Sequence, residues 1–338
     1  MQKIRIAQIG TSGYSHGSSI FMSLCKQSDI FEIVGYALPE GEREKFPSEV
    51  KCFDPYREMT VEEILSDPTI EAVTVETEEI YLLKYAKMVA EAGKHLHMEK
   101  PGSPSYADFC ELVSILKEKG LAFTVGYMYR FNPKVKEIFE RVSRGELGRI
   151  FAVEAQMSCK HPKEMRAWLS AFPGGMTFFL GCHLIDLVYR LQGEPKEVIP
   201  LNAKTGFDGI DAYDFGMAAF KYENGVSFIK AADTEVGGFL RRQLVVTGEK
   251  GSIELCPLEY YPSLPESDKQ VTKAKECFDM RIWQAEWTES TSAPYDRYDD
   301  MMKNFAEIVR GKENPYSYDY ELKLFALILR ACGEEITE

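Results

Sequence analysis

Three things are scarce in this chain of 338 residues. Basic side chains are outnumbered, 40 against 53 acidic, and the formal net charge is −13. A nucleic-acid surface needs a basic patch that displaces counterions, so that class of partner is excluded. Long apolar runs are missing too: no stretch approaches the ~20 residues of a membrane helix. The opening MQKIRIAQIG has no uninterrupted apolar region of the signal-peptide kind. Paired cysteines are the third absence. The eight cysteines (25, 52, 110, 159, 182, 256, 277 and 332) form no C-x-x-C, and several stand in apolar surroundings that read as buried. A reducing, cytoplasmic setting is therefore expected, not a disulfide scaffold. Internal repeats, low-complexity segments and long runs of like charge are also absent. Apolar residues make up 45% of the chain, ample for packed cores, and its length exceeds what one core usually spans, so two domains are expected.

The first part alternates strand and helix. KIRIAQI (3–9), FEIVGYA (31–37), IEAVTVE (70–76), HLHME (95–99) and LAFTVGY (121–127) read as buried strands. Helices are expected over about 16–27, from Thr60 with Glu63 as a capping box, over 79–93 ending at Gly93, and from Ser103-Pro104. Such alternation implies a Rossmann-type doubly wound parallel sheet, with ligands bound beyond the C-terminal ends of its strands. After about residue 150 the pattern changes. A long strand (149–158) and a helix-prone region (163–192) precede consecutive strands, with the hairpin turn YENG at 222–225, and then helices over 296–311 and 318–333. The expected architecture is a dinucleotide-binding domain over 1–125 and an α+β domain over 126–338 with a large, mostly antiparallel open sheet. One face of that sheet should stay uncovered, which predicts a homodimer or homotetramer through it.

The first strand exit reads IGTSGYSHG. Gly10 permits a tight bend, and Gly13 permits a close backbone approach. Ser12 and Ser15 stand where G-x-G-x-x-G has its later glycines, while Gly17 is out of phase. The helix beginning near 16 still offers its N-terminus to a diphosphate.

Three further stretches carry a family resemblance: MEKPGSP (98–104), VGYMYRFNPKVKEIFERVSRGELGRI (125–150) and WLSAFPGGMTFFLGCHLIDLVYRLQGEP (168–195). In this order and spacing the chain resembles the Gfo/Idh/MocA family of NAD(P)-dependent oxidoreductases, which act mostly on sugars, cyclitols and their derivatives. The resemblance implies NAD or NADP as cofactor and a small-molecule substrate. It makes Lys100 and His183 the acid/base pair, with Pro101 after the lysine often in a cis peptide. A histidine titrates in the right range to take a hydroxyl proton, and an ammonium stabilises the developing charge. Asp186, one turn after His183, could hydrogen-bond a polyol, orient the imidazole, or pair with Arg190. Tyr129, Trp168 and Phe179 are expected beside the substrate, and Gly10, Ser12, Gly13, Tyr14, Leu38, Thr77, Glu99, Lys100 and Pro101 beside the cofactor. No metal set is expected: His183, Asp186 and His161 lack metal-ligand spacing. His95 and His97 are expected to be structural.

Five positions depart from the family pattern. Leu38 stands where NAD-using members carry an acid, with Glu40, Arg43 and Lys45 following. Glu78 and Glu79 replace the Pro-Asn after Thr77, and two carboxylates there would repel a diphosphate unless they point to solvent. Leu82 replaces a histidine. Phe179 replaces an aspartate one turn before His183, which implies a drier pocket and a substrate with an apolar edge. Two functions follow from these features: a working dehydrogenase, or a catalytically impaired ligand-binding or regulatory protein on the same fold.

Overall fold

The computed structural model describes residues 2–262 and 269–336. The first sheet holds five parallel strands in the order β2-β1-β3-β4-β5: β1 (Ile4–Ile9), β2 (Phe31–Ala37), β3 (Ala72–Val75), β4 (His95–Met98) and β5 (Phe123–Val125). Buried on both faces, these strands read as near-continuous apolar runs. Helices α1 (Gly17–Lys26), α2 (Glu42–Lys45), α3 (Val61–Ser66), α4 (Leu82–Glu91) and α5 (Tyr106–Glu118) connect them. The expected capping box is present: Thr60 Oγ1 accepts from the Glu63 N–H, and the Glu63 carboxylate accepts from the Thr60 N–H. Gly93 has φ 74° just past α4, a conformation that suits glycine at a helix end. The cap of α5 lies two residues beyond the expected one. Ser105 Oγ accepts from the Asp108 N–H, and Ser103 Oγ instead makes a turn onto the Ser105 N–H, so Pro104 precedes the helix.

The second sheet has eight strands in the order β13-β12-β11-β10-β6-β9-β8-β7: β6 (Ile150–Gln156), β7 (Glu197–Pro200), β8 (Phe215–Tyr222), β9 (Gly225–Ala232), β10 (Gln243–Gly248), β11 (Gly251–Leu255), β12 (Lys273–Cys277) and β13 (Thr288–Thr291). Its β6–β9 pair is parallel and its other pairs are antiparallel. Tyr222 pairs with Gly225, closing the expected hairpin over two residues. Along these strands Ala155, Ala218, Phe220, Ile229, Leu244, Val246 and Leu255 point to one face and are fully buried. That face carries α8 (Cys182–Gln192), whose inward side chains include Leu184, Ile185 and Val188; α6 (Pro133–Ser143) packs on α8, and α7 (Lys163–Trp168) lies earlier in the same region. The opposite face presents Ile199, Ala219, Phe228, Glu154, Val245 and Glu254 in register.

Helices α9 (Asp299–Val309) and α10 (Tyr318–Cys332) follow. Residues up to 126 together with 298–325 form one compact unit, and residues 127–297 with the end of the chain form the other. The expected cut after residue 125 thus omits a returning segment. Its physical basis is side-chain burial: Phe305 of α9 packs 5.7 Å from the His97 ring, and Ser23 of α1 bonds Asp299. All eight cysteines are free thiols. Among the described residues no helix is long and apolar enough to cross a membrane.

Candidate active-site residues

In the first unit the strand exits converge. Gln8 Nε2 donates to the carbonyls of Gly10 and Gly17 (3.0 Å each), tying together both ends of the loop between β1 and α1. Gly10 has φ 80°, and a Cβ there would sit 2.3 Å from the Thr77 methyl carbon, so this turn lies hard against the β3 exit. Gly17 does what the out-of-phase motif left unassigned: a Cβ there would meet Glu76 and Thr11 at about 3 Å, so glycine lets the start of α1 close onto the sheet. Gly13 serves otherwise than expected. Its Cα faces the Phe46 ring, where a Cβ would come within 2.8 Å, and Tyr14 stacks edge-on to the same ring. Ser12 Oγ accepts from the Tyr14 N–H, shaping the turn.

The residues present fit a dinucleotide. Thr11 Oγ1, Ser15 Oγ and Thr77 Oγ1 are buried hydroxyls without a hydrogen-bond partner among the described residues, and α1 has no acidic residue in its first turn. Leu38 lies half-buried against the cluster of Phe21, Tyr36, Val50 and Phe53. Beside it, a cleft of about 360 Å³ is lined by Pro39, Thr60, Lys84, Tyr85 and Met88. Glu40 is held by Lys84 (3.0 Å) and the Tyr85 hydroxyl. Arg43 pairs with Glu58 at 2.7 Å and with the Tyr36 hydroxyl at 2.8 Å.

Lys100 is buried, with Nζ 3.5 Å from Glu99 Oε1, and its peptide to Pro101 is cis. Three carboxyls surround it. Glu79 does not point to solvent as a charge-repulsion argument would require; it is 3% exposed. Burial pushes its carboxyl up to about 8, and Glu99 adds to this against the pull of Lys100. Glu76 is raised still more clearly, by burial first and then by Glu99 and Glu79. Burial also raises Glu99, although Lys100 opposes it. These shifts favour the protonated forms, which weakens the expected repulsion. His97 Nδ1 bonds Thr124 Oγ1 at 2.7 Å and His95 Nδ1 accepts from the Ala122 N–H, the structural roles expected of both.

In the second unit one π-helical turn (Thr177–Gly181) leads into α8. Such turns recur at functional sites because they re-aim the next side chain. Here that side chain is His183, buried between the ring edges of Tyr127 (6.0 Å) and Tyr129 (5.4 Å). Asp186 is engaged from elsewhere: Arg130 Nε and Nη2 reach its carboxylate at 3.0 and 2.7 Å, and the guanidinium lies over Tyr127. Arg190, the sequence-neighbour partner, instead stands over Phe139. The buried Arg130–Asp186 pair thus fastens the Tyr127–Asn132 segment to α8, around His183.

Tyr129 donates its hydroxyl to Glu259 Oε1 (2.5 Å). Arg242 reaches the same carboxylate at 2.5 Å and Arg297 at 2.6 Å. This convergent arginine pair joins four distant segments and has no signature in sequence. Phe179 and Trp168, expected beside the substrate, meet each other at 5.4 Å in an apolar cluster with Leu169, Met176 and Ile210, and His161 stands edge-on to Phe179. Phe179 is buried there, so its ring contributes to packing. Among the described residues no group of three or more His, Cys, Asp or Glu side chains is placed to hold a metal ion.

Comparison with known proteins matches both halves. A model described as the oxidoreductase family, NAD-binding Rossmann fold, covers residues 4–127, and one described as the GFO/IDH/MocA C-terminal domain covers 135–254. The chain is 33% identical over 139 residues to the oxidoreductase YhhX of Escherichia coli, 41% of this chain and 40% of that one. It is 27% identical over 203 residues to scyllo-inositol 2-dehydrogenase (NADP(+)) IolW of Bacillus subtilis, 58% of this chain and 55% of that one. The chain spans about half the length of these curated relatives. A solved structure of levoglucosan dehydrogenase in complex with NADH and levoglucosan shares the fold, with TM-score 0.78 at 18% identity over 98% of each chain.

Proposed function

Because the chain belongs to the Gfo/Idh/MocA family of oxidoreductases, with an NAD-binding Rossmann domain, we propose that it transfers hydride between nicotinamide and a hydroxyl carbon of a sugar-like or polyol substrate. The observation that carries this reading is the retention of both proton-handling groups, Lys100 at the β4 exit and His183 after the π-helical turn, each buried. A dead copy has no catalytic reason to keep both. The named substrates of two similar proteins, scyllo-inositol and levoglucosan, are compact cyclic polyhydroxy molecules, which supports the substrate class.

The nicotinamide, when bound, supplies the hydride acceptor. His183 takes the proton of the substrate hydroxyl as hydride departs, and the two tyrosine edges hold its ring in place. The Lys100 ammonium stabilises the charge that develops on the oxygen. Thr11, Ser15, Thr77 and the start of α1 bind the diphosphate. The test is thermal protection: a dinucleotide at a hundred times its Kd stabilises by ~2.7 kcal/mol. If neither NADH nor NADPH at millimolar concentration moves the melting point, the reading fails.

The exit of β2 predicts no strong preference between the two dinucleotides. Leu38 neither bonds the ribose hydroxyls nor repels a 2′-phosphate, and Arg43 already has Glu58. Titrations with NADH and NADPH should give dissociation constants within about a hundredfold, ~2.7 kcal/mol. A larger ratio in favour of NAD would contradict this.

Self-association through the second sheet is expected on two grounds. The uncovered face carries Ile199, Ala219, Phe228 and Val245 in register. The segment between β12 and β13 exposes Met280, Ile282 and Trp283, the last at 94%. An apolar area of this extent marks an interaction site, and a two-fold dimer or a pair of dimers closes it. Light scattering at micromolar concentration should show a particle of at least twice 38.5 kDa, and a monomer would refute the expectation.

A further inference from the structure

The carboxyls around Lys100 form a group that the hydride chemistry does not use. Glu76 and Glu79 are buried, Glu76 against Glu99, and no side-chain N–H or hydroxyl is placed to donate to either carboxyl among the described residues. Thr77 Oγ1 and Thr11 Oγ1, beside them at the same strand exits, are equally unpartnered. Charged groups act on Glu79 from two elements: Glu76 and Glu78 on its own segment, Glu99 and Lys100 at the β4 exit. Glu76 faces Glu99, Lys100 and, at 3.7 Å, His97 Nε2. Burial holds His97 neutral, its imidazolium appearing only near pH 3, so Lys100 is the cation of the group.

A charge count then constrains what can bind. With Glu76, Glu79 and Glu99 ionised against Lys100, the buried group would carry two net negative charges. A dinucleotide brings two more on its diphosphate, in a region of low dielectric where like charges are costly. The site is nonetheless furnished for an anion, by the hydroxyls of Thr11, Ser15 and Thr77 and by the start of α1. A cation is the wrong occupant, since the Lys100 ammonium already stands among the carboxyls.

We propose that a dinucleotide binds these strand exits only when Glu76 and Glu79 are uncharged, so that binding takes up a proton whenever Glu79 has lost its own. This rests on the dinucleotide reading of the site. As neutral acids the two side chains repel nothing: the Glu76 O–H donates to Glu99, and Glu79 gains an O–H able to donate to a ligand oxygen, which a carboxylate cannot do. Glu79 sets the working limit. Its carboxyl loses its proton near pH 8, burial being the main cause, whereas Glu76 shares the tighter contact with Glu99.

The experiment is NADH binding to the full-length chain, followed by nicotinamide fluorescence from pH 6.5 to 9.5. NADH is chosen because its phosphates do not titrate in this range. The dissociation constant should be nearly flat below pH 7.5 and then rise about tenfold per unit above pH 8. Calorimetry at pH 8.5 in two buffers of different ionisation enthalpy should show uptake of about half a proton or more per NADH. Glu79→Gln, neutral at every pH, should abolish both the rise and the uptake, while Glu78→Gln should leave both in place. The wild-type measurements stand alone if Glu79→Gln fails to fold. Binding that is flat across the range, or an unchanged profile in Glu79→Gln, would overturn the proposal and leave the dinucleotide reading intact. No NADH binding at any pH would overturn both.

Discussion

Replacing His183 with alanine is expected to lower kcat by about 10²–10⁴-fold on any sugar or polyol that the protein oxidises, the usual contribution of a general acid–base group. In the proposed reaction the imidazole takes the hydroxyl proton, and the polar groups beside it are engaged elsewhere. Asp186 is paired with Arg130, and the Tyr129 hydroxyl is committed to Glu259. Lys100→Met should cost a similar factor, because it removes the cation that meets the developing oxyanion. The two variants separate chemistry from binding. His183 belongs to the second unit, so its loss should leave the NADH dissociation constant unchanged. Lys100→Met leaves Glu99 without its ammonium partner, so its melting point must be measured alongside. A kcat within about threefold of wild type for either variant would refute the assignment. Intact dinucleotide binding with no turnover on a broad panel would favour the ligand-binding protein over the enzyme.

The place of Lys100 and Pro101 at the β4 exit, and the cis peptide between them, are legible in the amino-acid sequence because they belong to a short local motif at an element end. The Thr60–Glu63 box is equally local, and it is present. What the sequence conceals depends on contacts between distant segments. A carboxylate after a strand is usually solvated, and only the third dimension shows that Glu76 and Glu79 face inward. The glycine pattern at 10–17 looks damaged when positions are counted against G-x-G-x-x-G. The fold requires only that the residue opposite Glu76 lack a Cβ, and Gly17 meets that requirement from another register. Asp186 has Arg190 as a candidate partner one turn away, yet the bond goes to Arg130, 56 residues earlier in the chain. Phe179, a pocket wall by its family position, is held in an apolar cluster by Trp168 and Met176. The return of residues 298–325 to the first unit is hidden for a similar reason: amphipathic helices show that they bury a face, not which sheet covers it.

The network around Glu259 has no sequence signature, and its removal should be felt across the second unit. Glu259 is buried and accepts from the Tyr129 hydroxyl, Arg242 and Arg297. Burial alone would raise its carboxyl, but the two guanidiniums overcome this and hold it down to about 2. Glu259→Ala leaves the buried Arg242 and the half-buried Arg297 without the carboxylate that neutralises both. Breaking such a pair by removing one partner costs ~3–5 kcal/mol, since the survivors keep their desolvation penalty. At ~2–4 °C per kcal/mol for a unit of this size, the second unit should melt roughly 6–20 °C lower. Glu249→Ala is the contrast: its pair with Arg149 is solvent-exposed and screened, so its loss should leave the melting point nearly unchanged. Acid provides a second measure. The folded state holds Glu259 ionised below the ordinary carboxylate range, so its stabilisation is complete above pH ~4.5 and is lost as pH falls towards 2. The drop in stability over that window should therefore be steeper in the wild type than in Glu259→Gln. Equal melting points for Glu259→Ala and Glu249→Ala would show that the arginines find other partners. Tyr129 links this result to catalysis, because its ring edge borders His183 at 5.4 Å. A Tyr129→Phe variant keeps that ring and gives up the hydroxyl's bonds to Glu259 and Arg242, so it should retain turnover while losing part of the stability.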